Sequence, residues 1–144
     1  MKISSKGRYA LRMMIDIARH DTGEWISIKD ISERQGISIK YLEQIVTNLN
    51  KSGLLKSSRG PQGGYMLAKP QENYTAGQIL RVIEGNFAPV ACLETETNLC
   101  ERRSICPTLQ FWEGLYSVID QYLDSVTLKD LAESNCSESS NYSI

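Results

Sequence analysis

The sequence predicts a mostly helical fold: a winged helix-turn-helix domain with a small β-hairpin as its wing, followed by a long C-terminal helix. Three observations predict it. The stop Gln35-Gly36 is separated from a new helix start at Ser38 by Ile37 alone, which gives two helices joined by a tight, Gly-containing turn. The stretch Arg59-Gly60-Pro61-Gln62-Gly63-Gly64 lies between two short strand candidates and reads as a hairpin loop. Beyond it, residues 107–123 carry two apolar stripes on one helix, and a helix of that kind needs two surfaces to bury.

The elements follow in chain order. Residues 7–20 read as a helix, with Leu11, Met14, Ile15 and Ala18 at i, i+3, i+4 and i+7. Met13 and Ile17 widen its apolar face. Ser4 or Ser5 can cap its start, and Asp21-Thr22-Gly23 ends it. His20 reads as a solvated residue at its end. Residues 27–35 form a second helix with Ser27 as N-cap and Ile28 and Ile31 facing inward. Ser38 caps a third, 39–52, with Ile37 and Leu42 placed as a hydrophobic staple. Leu54–Ser58 and Tyr65–Ala68 are the strands. Thr75-Ala76-Gly77-Gln78 opens a fourth helix as a capping box, and Gly85 closes it. After a linker containing Pro89, Pro107 suits the first position of the long helix, with Cys106 as its N-cap. Its stripes are Leu109, Trp112, Tyr116, Ile119 and Leu123, stepping 3-4-3-4, and Phe111, Leu115, Val118 and Tyr122. One stripe can pack on the chain's own domain; the other calls for a second copy, so a symmetric dimer is expected. Thr127 caps a short last helix, 128–134. This divides the chain into a winged domain (1–85), a linker and cysteine loop (86–106), a dimerisation helix with the short last helix (107–134) and a disordered tail (135–144).

A net charge of −1 conceals an asymmetry. Residues 1–70 hold twelve Lys/Arg against six Asp/Glu, and residues 71–144 hold four against eleven. A basic half is the footprint of a polyanionic partner, or a chance segregation of solvated charges. No apolar run reaches the ~20 residues of a membrane helix. The N-terminus lacks the pattern of a secretory signal, so a cytoplasmic location is expected. One His and no paired-acid signature leave no catalytic constellation.

On the third helix, Leu42, Ile45, Val46 and Leu49 form a core stripe, and Lys40, Glu43, Gln44 and Thr47 form a second. Lys40 lies about 160° from Leu42, so the polar stripe looks away from the core. These side chains can hydrogen-bond base edges and phosphates; they can equally form a solvated face. The wing shifts the balance towards DNA. Arg59 beside Gly60 stands on a narrow tip of the kind that enters a minor groove.

Cys92, Cys100 and Cys106 lie within fifteen residues, while the fourth cysteine, Cys136, falls in the tail. Their spacing matches neither a zinc knuckle nor a bacterial ferredoxin run. It suits a loop wrapped around a soft metal centre. Reactive or regulatory thiols and a zinc site remain the alternatives. A helix N-terminus would favour the Cys106 thiolate, and Arg102 and Arg103 add positive charge.

Four segments carry a resemblance: S-K-G-R-Y-A (5–10), D-I-S-E-R-Q-G-I-S (30–38), Y-L-E-Q (41–44) and R-G-P-Q-G-G-Y (59–65). In them the chain resembles the Rrf-type winged-helix transcriptional regulators, and most closely their IscR-like branch. The likeness runs from Met1 to about Ala132. It implies a homodimer on a roughly palindromic operator, with Ser38, Lys40 and Glu43 reading bases and Arg59 in the minor groove. It also implies an iron–sulfur cluster held by Cys92, Cys100 and Cys106, [2Fe–2S] ahead of [4Fe–4S]. Two positions depart from the pattern. Leu109 stands where IscR-like chains place a His, and Arg8 stands where the nitric-oxide-sensing NsrR-like branch places an acidic ligand. The fourth ligand is therefore open among Glu94, Glu96, Glu101, Cys136, water and a group from the other chain. A nitric-oxide-sensing or cysteine-metabolism (CymR-like) repressor is the alternative within the family. Outside it stand a redox or electron-transfer iron–sulfur protein and a module that binds a metabolic enzyme.

Overall fold

The structure, a computed structural model, describes residues 1–134. Six helices and one hairpin follow in order: α1 (Ser5–Arg19), α2 (Ile28–Gln35), α3 (Ile39–Lys51), β1 (Leu55–Ser58), β2 (Gly64–Leu67), α4 (Ala76–Glu84), α5 (Leu109–Ser125) and α6 (Leu128–Glu133). Single 3₁₀ turns occupy Gln71–Asn73 and Ala91–Leu93. The mostly helical fold with a hairpin wing is the one the sequence predicts. The expected tail, and Cys136 with it, lies outside the described residues.

α1 is the central helix, packed by α2, α3, α4 and α6. That is why its apolar face is so wide: Ala10, Met13, Met14 and Ile17 are all completely buried. They meet Ile31 of α2, Leu42, Ile45 and Leu49 of α3, Ile79 of α4 and Leu128 of α6. Each such aliphatic side chain contributes about 1.5–3 kcal/mol by leaving water. Start signals act where local chemistry places them. Ser4, Ser27 and Ser38 each accept a hydrogen bond from a first-turn backbone N–H of the helix they precede. Gly36 closes α2 in the left-handed region, at φ 65°, which a side chain would oppose.

The turn between α2 and α3 is also held from α1. Asp16, a carboxylate with 2% exposure inside an otherwise apolar face, accepts two hydrogen bonds from Arg34, from Nη2 at 2.7 Å and Nε at 3.0 Å. Gln35 Nε2 adds a third at 2.9 Å. Arg12 donates to both the side-chain and the backbone oxygen of Gln35, so the last carbonyl of α2 is held as well. The Asp16 hydrogen bond, opposed by partial burial and helped by the charges of Asp16 and Asp30, raises the Arg34 pKa further.

The hairpin pairs Leu55 with Leu67 through Ser58 with Gly64. Residue 26 adds a bridge to its edge: Tyr65 N donates to Ile26 O at 2.8 Å, and Ile26 N to Tyr65 O at 3.0 Å. Below the hairpin, buried Tyr74 donates its hydroxyl hydrogen to Leu54 O at 2.7 Å and accepts from the backbone N–H groups of Ala68 and Lys69.

α5 packs on α4, and its Leu109, Trp112, Tyr116, Ile119 and Leu123 are half-buried. Close approach is allowed by Gly77, where a Cβ would lie 2.4 Å from Asp124 Oδ1 and 3.1 Å from Leu123 Cβ. Arg81 then bridges α4 to Asp120 at 2.9 Å and to Asp124 at 2.6 Å. Past α5, Ala76 N donates to Val126 O and Leu128 N to Tyr74 O.

Two expectations change. α5 begins at Leu109 with Thr108 as its N-cap position, not at Pro107 after Cys106. The first intrahelical hydrogen bond runs from Trp112 N to Thr108 O, and residues 101–105 form turns instead of leading straight into the helix. At α4, Thr75 caps Gln78 N at 3.0 Å, but no reciprocal bond returns, because Gln78 Oε1 instead accepts from Lys69 Nζ. The reciprocal box forms at α6, between Thr127 and Asp130.

Candidate nucleic-acid interface and cysteine loop

The polar face of α3 is presented as its period requires. Lys40, Glu43, Gln44 and Thr47 are exposed, opposite buried Leu42, Ile45, Val46 and Leu49. Lys40, Glu43 and Gln44 make no side-chain hydrogen bond or ion pair among the described residues. Two predicted readers are partly engaged with their own helix. Ser38 Oγ accepts from Tyr41 N at 3.2 Å, leaving its hydrogen free to donate. Thr47 Oγ1 donates to Glu43 O at 2.9 Å, leaving its lone pairs free to accept.

The wing lies beside this face. Burial, and then the nearby Glu43 carboxylate, push the Tyr65 phenol up from its ordinary pKa, which places Glu43 near β2. At the wing tip, Gly63 N donates to Gly60 O at 3.0 Å across the turn. Gly60 takes φ 99°, so the chain reverses in the space of Gly60–Gly63. Arg59 and Gly60 are exposed, and the Arg59 guanidinium is unpartnered among the described residues. On the other flank of α3, Tyr41 meets Tyr9 of α1 edge-on, with ring centroids 5.4 Å apart. The Arg12 guanidinium stacks over Tyr9.

The sequence did not reveal the Asp16–Arg34–Gln35–Arg12 clamp, which sets where the turn before α3 sits. An Asp within an apolar helical face is the signal that could have exposed it, since a buried carboxylate requires partners.

Cys92, Cys100 and Cys106 carry free thiols and are half-buried, on the segment between α4 and α5. The structure does not draw them together: among the described residues no three Cys, His or acidic side chains converge on a metal position. Hydrogen bonds within the loop are local, such as Cys100 N to Asn98 Oδ1 and Arg103 Nη1 to Cys100 O. Although Cys106 is not the helix cap, its sulfur takes up much of a cap's work. The Thr108 hydroxyl, 3.4 Å away, and then the backbone N–H groups of Thr108 and Leu109 lower its pKa, assisted by the charge of Arg102. As a donor set the loop fits a soft metal: three thiols, one of them biased towards thiolate, on a loop whose hydrogen bonds run to residues close by in the chain.

Comparison with known proteins decides the family. The family model "Rrf2: Iron-dependent Transcriptional regulator" matches residues 3–134. The chain belongs to the Rrf2 family. It is 38% identical over 131 residues to the HTH-type transcriptional regulator IscR of Pectobacterium atrosepticum, covering 91% of this chain and 79% of that one. Among solved structures, CymR, the global cysteine regulator of B. subtilis, superposes with a TM-score of 0.74 at 41% identity, over 92% of this chain and 96% of CymR. T. potens IscR superposes with a TM-score of 0.71 at 38% identity, over 91% of this chain and 85% of that one. This Rrf2 chain is accordingly a DNA-binding transcriptional regulator of IscR/CymR type, and its relatives are regulators rather than enzymes. Among the described residues no helix is long and apolar enough to cross a membrane.

Proposed function

We propose that this Rrf2 regulator works as a homodimer whose operator binding responds to an iron–sulfur cluster held by Cys92, Cys100 and Cys106. The observation that carries the DNA half is the unpartnered polar face of α3 beside the wing. Lys40, Glu43 and Gln44, with Ser38 and Thr47, read base edges in the major groove. Arg59, on the tip shaped by Gly60, enters the minor groove. Two copies place two such faces about 34 Å apart on a roughly palindromic site. The second copy is supported by α5, where Phe111, Val118 and Tyr122 are more than 60% exposed in a single stripe, with Leu115 between them. An isologous pairing of that stripe buries it on both chains. On this reading residues 1–85 form the DNA-binding unit and 107–134 the dimerisation unit.

The metal half is supported by the donor chemistry of the loop. Cys106, already biased to thiolate, is the natural first ligand, with Cys92 and Cys100 closing from the same loop. The fourth ligand comes from Glu94, Glu96, Glu101, Cys136, water or the other chain. When bound, an iron–sulfur cluster supplies a group that is gained or lost with iron supply and oxidant. The loop joins the winged domain to α5, so ordering it bears on both. The test is anaerobic reconstitution of the full chain, read by visible absorption and iron content, beside operator binding of wild type and of Cys92→Ala, Cys100→Ala and Cys106→Ala. The expected result is a coloured, iron-containing dimer whose affinity or choice of operator differs from that of each variant. A colourless, iron-free protein, with variants matching wild type on DNA, would overturn the cluster and leave DNA binding standing. Arg59→Ala should weaken specific binding by about 1–3 kcal/mol; unchanged affinity would count against the wing.

A further inference from the structure

We infer that Ile39 is a base-reading residue that recognises the 5-methyl group of a thymine in the operator. This rests on the proposed reading of α3 and extends it to a side chain that polar patterning does not select. Within the winged domain (1–85), the large exposed apolar side chains are Met1, Trp25 and Ile39, and of these only Ile39 lies on α3. Ile39 is 40% exposed and has no part in the hydrophobic core or in the partly buried shell packed on it. Its neighbours Ile37 and Leu42 supply the staple and the core contact, and both are buried. Ile37 and Leu42 thus supply the buried contacts at the start of α3, and a large part of Ile39 is left open to solvent.

Its position is where a recognition helix meets base edges. Ile39 is the first helical residue of α3, between Ser38 and Lys40. In helix-turn-helix proteins the N-terminal residues of this helix contact the bases. At 100° per residue Ile39 lies about 40° around the helix from Glu43, on the edge of the polar face that borders buried Val46. One helical turn, about 6 Å, separates the two along the axis, so they address base pairs within about two steps of each other. Glu43 is suited to accept from a cytosine amino group. An aliphatic side chain can gain from a base edge only at the thymine methyl, the one apolar group in the major-groove pattern. A polar base edge there would leave Ile39 covering groups it cannot pair with.

The experiment uses the full chain. An operator is first selected from a random duplex library. Each thymine in its half-site is then replaced in turn by deoxyuridine, which deletes the methyl and keeps the Watson–Crick and hydrogen-bonding edges. Wild type is expected to lose about fourfold in affinity at one position, the value of one buried methyl group. Ile39→Ala, with an unchanged melting temperature, is expected to bind the thymine operator more weakly and to bind thymine and uracil at that position equally. Ile39→Val, which keeps an apolar branch, is expected to retain part of the discrimination. A selected operator on which wild type shows no uracil penalty would overturn this inference alone. So would an Ile39→Ala variant with the full wild-type penalty. Selection that enriches no sequence would overturn the reading of α3 as well.

Discussion

Asp16→Ala offers a direct test of what holds the helix-turn-helix together. The Asp16 side chain is 1% exposed and is held by Nε and Nη2 of Arg34, with Nε shared between both carboxylate oxygens, and by Nε2 of Gln35. Breaking a buried charge pair typically costs about 3–5 kcal/mol, because the remaining charge is stranded. Arg34 is 33% exposed, so its guanidinium regains some water when Asp16 is removed. That lowers the expected loss to about 2–4 kcal/mol. For a chain of this length the melting temperature should fall by roughly 5–15 °C. The assay is urea unfolding followed by circular dichroism at one fixed protein concentration, since dimerisation would make stability concentration-dependent. The decisive part is a double-mutant cycle with Arg34→Met. If the pair acts as described, the two losses overlap, with a coupling of at least about 1 kcal/mol. A loss below about 1 kcal/mol for Asp16→Ala, or strict additivity with Arg34→Met, would refute the clamp.

Three further outcomes follow from the geometry. Gly77→Ala places a Cβ against Asp124 and Leu123 and should cost about 1–3 kcal/mol, read by thermal melting; an unchanged melting temperature would mean that α4 and α5 are not so closely packed. Val118→Glu should convert a dimer to a monomer in sedimentation velocity while the circular dichroism spectrum stays helical; a retained dimer would move the interface away from this stripe. Asp130 has its pKa lowered by the backbone N–H of Thr127 and then by the Thr127 hydroxyl. The folded value lies below the unfolded one, so its stabilisation is present above the ordinary carboxylate range and is lost as pH falls through the depressed value. Asp130→Asn should therefore flatten the acid limb of the stability profile, and identical limbs for variant and wild type would remove Asp130 from it.

The parts of this molecule that were legible in the sequence are those written by local chemistry. Ser27, Gly36 and Ser38 act within three or four residues of themselves, so α2, the turn and α3 could be read directly. The outward face of α3 followed from a 3.6-residue period, which also separated the half-buried and exposed stripes of α5. What could not be read depends on distant partners. Asp16 and Arg34 are eighteen residues apart with no pattern joining them. Cys106 looked like a helix cap because Pro107 suits a first helical position, yet the turns at 101–105 delay the helix to Leu109. The spacing of the three cysteines supplied a donor set but not the path of the loop between them. Ile39 was overlooked for a simpler reason: it belongs to neither the core stripe nor the polar stripe of α3, and only the structure shows how far it is exposed.

The anchoring of α5 on α4 has a mechanical consequence. Gly77, Arg81 and the Ala76–Val126 hydrogen bond fix the C-terminal part of α5, whereas the cysteine loop joins its other end. The helix is thus a lever about 25 Å long, welded at one end to the domain that carries α3. A displacement of about 2 Å at the cysteine end corresponds to a swing of about 5°. In the proposed dimer, half the spacing between half-sites is about 17 Å, and over that arm the same 5° would become about 1.5 Å at each copy of α3. That is close to half a base-pair step, enough to move a set of side chains out of register with the bases they touch.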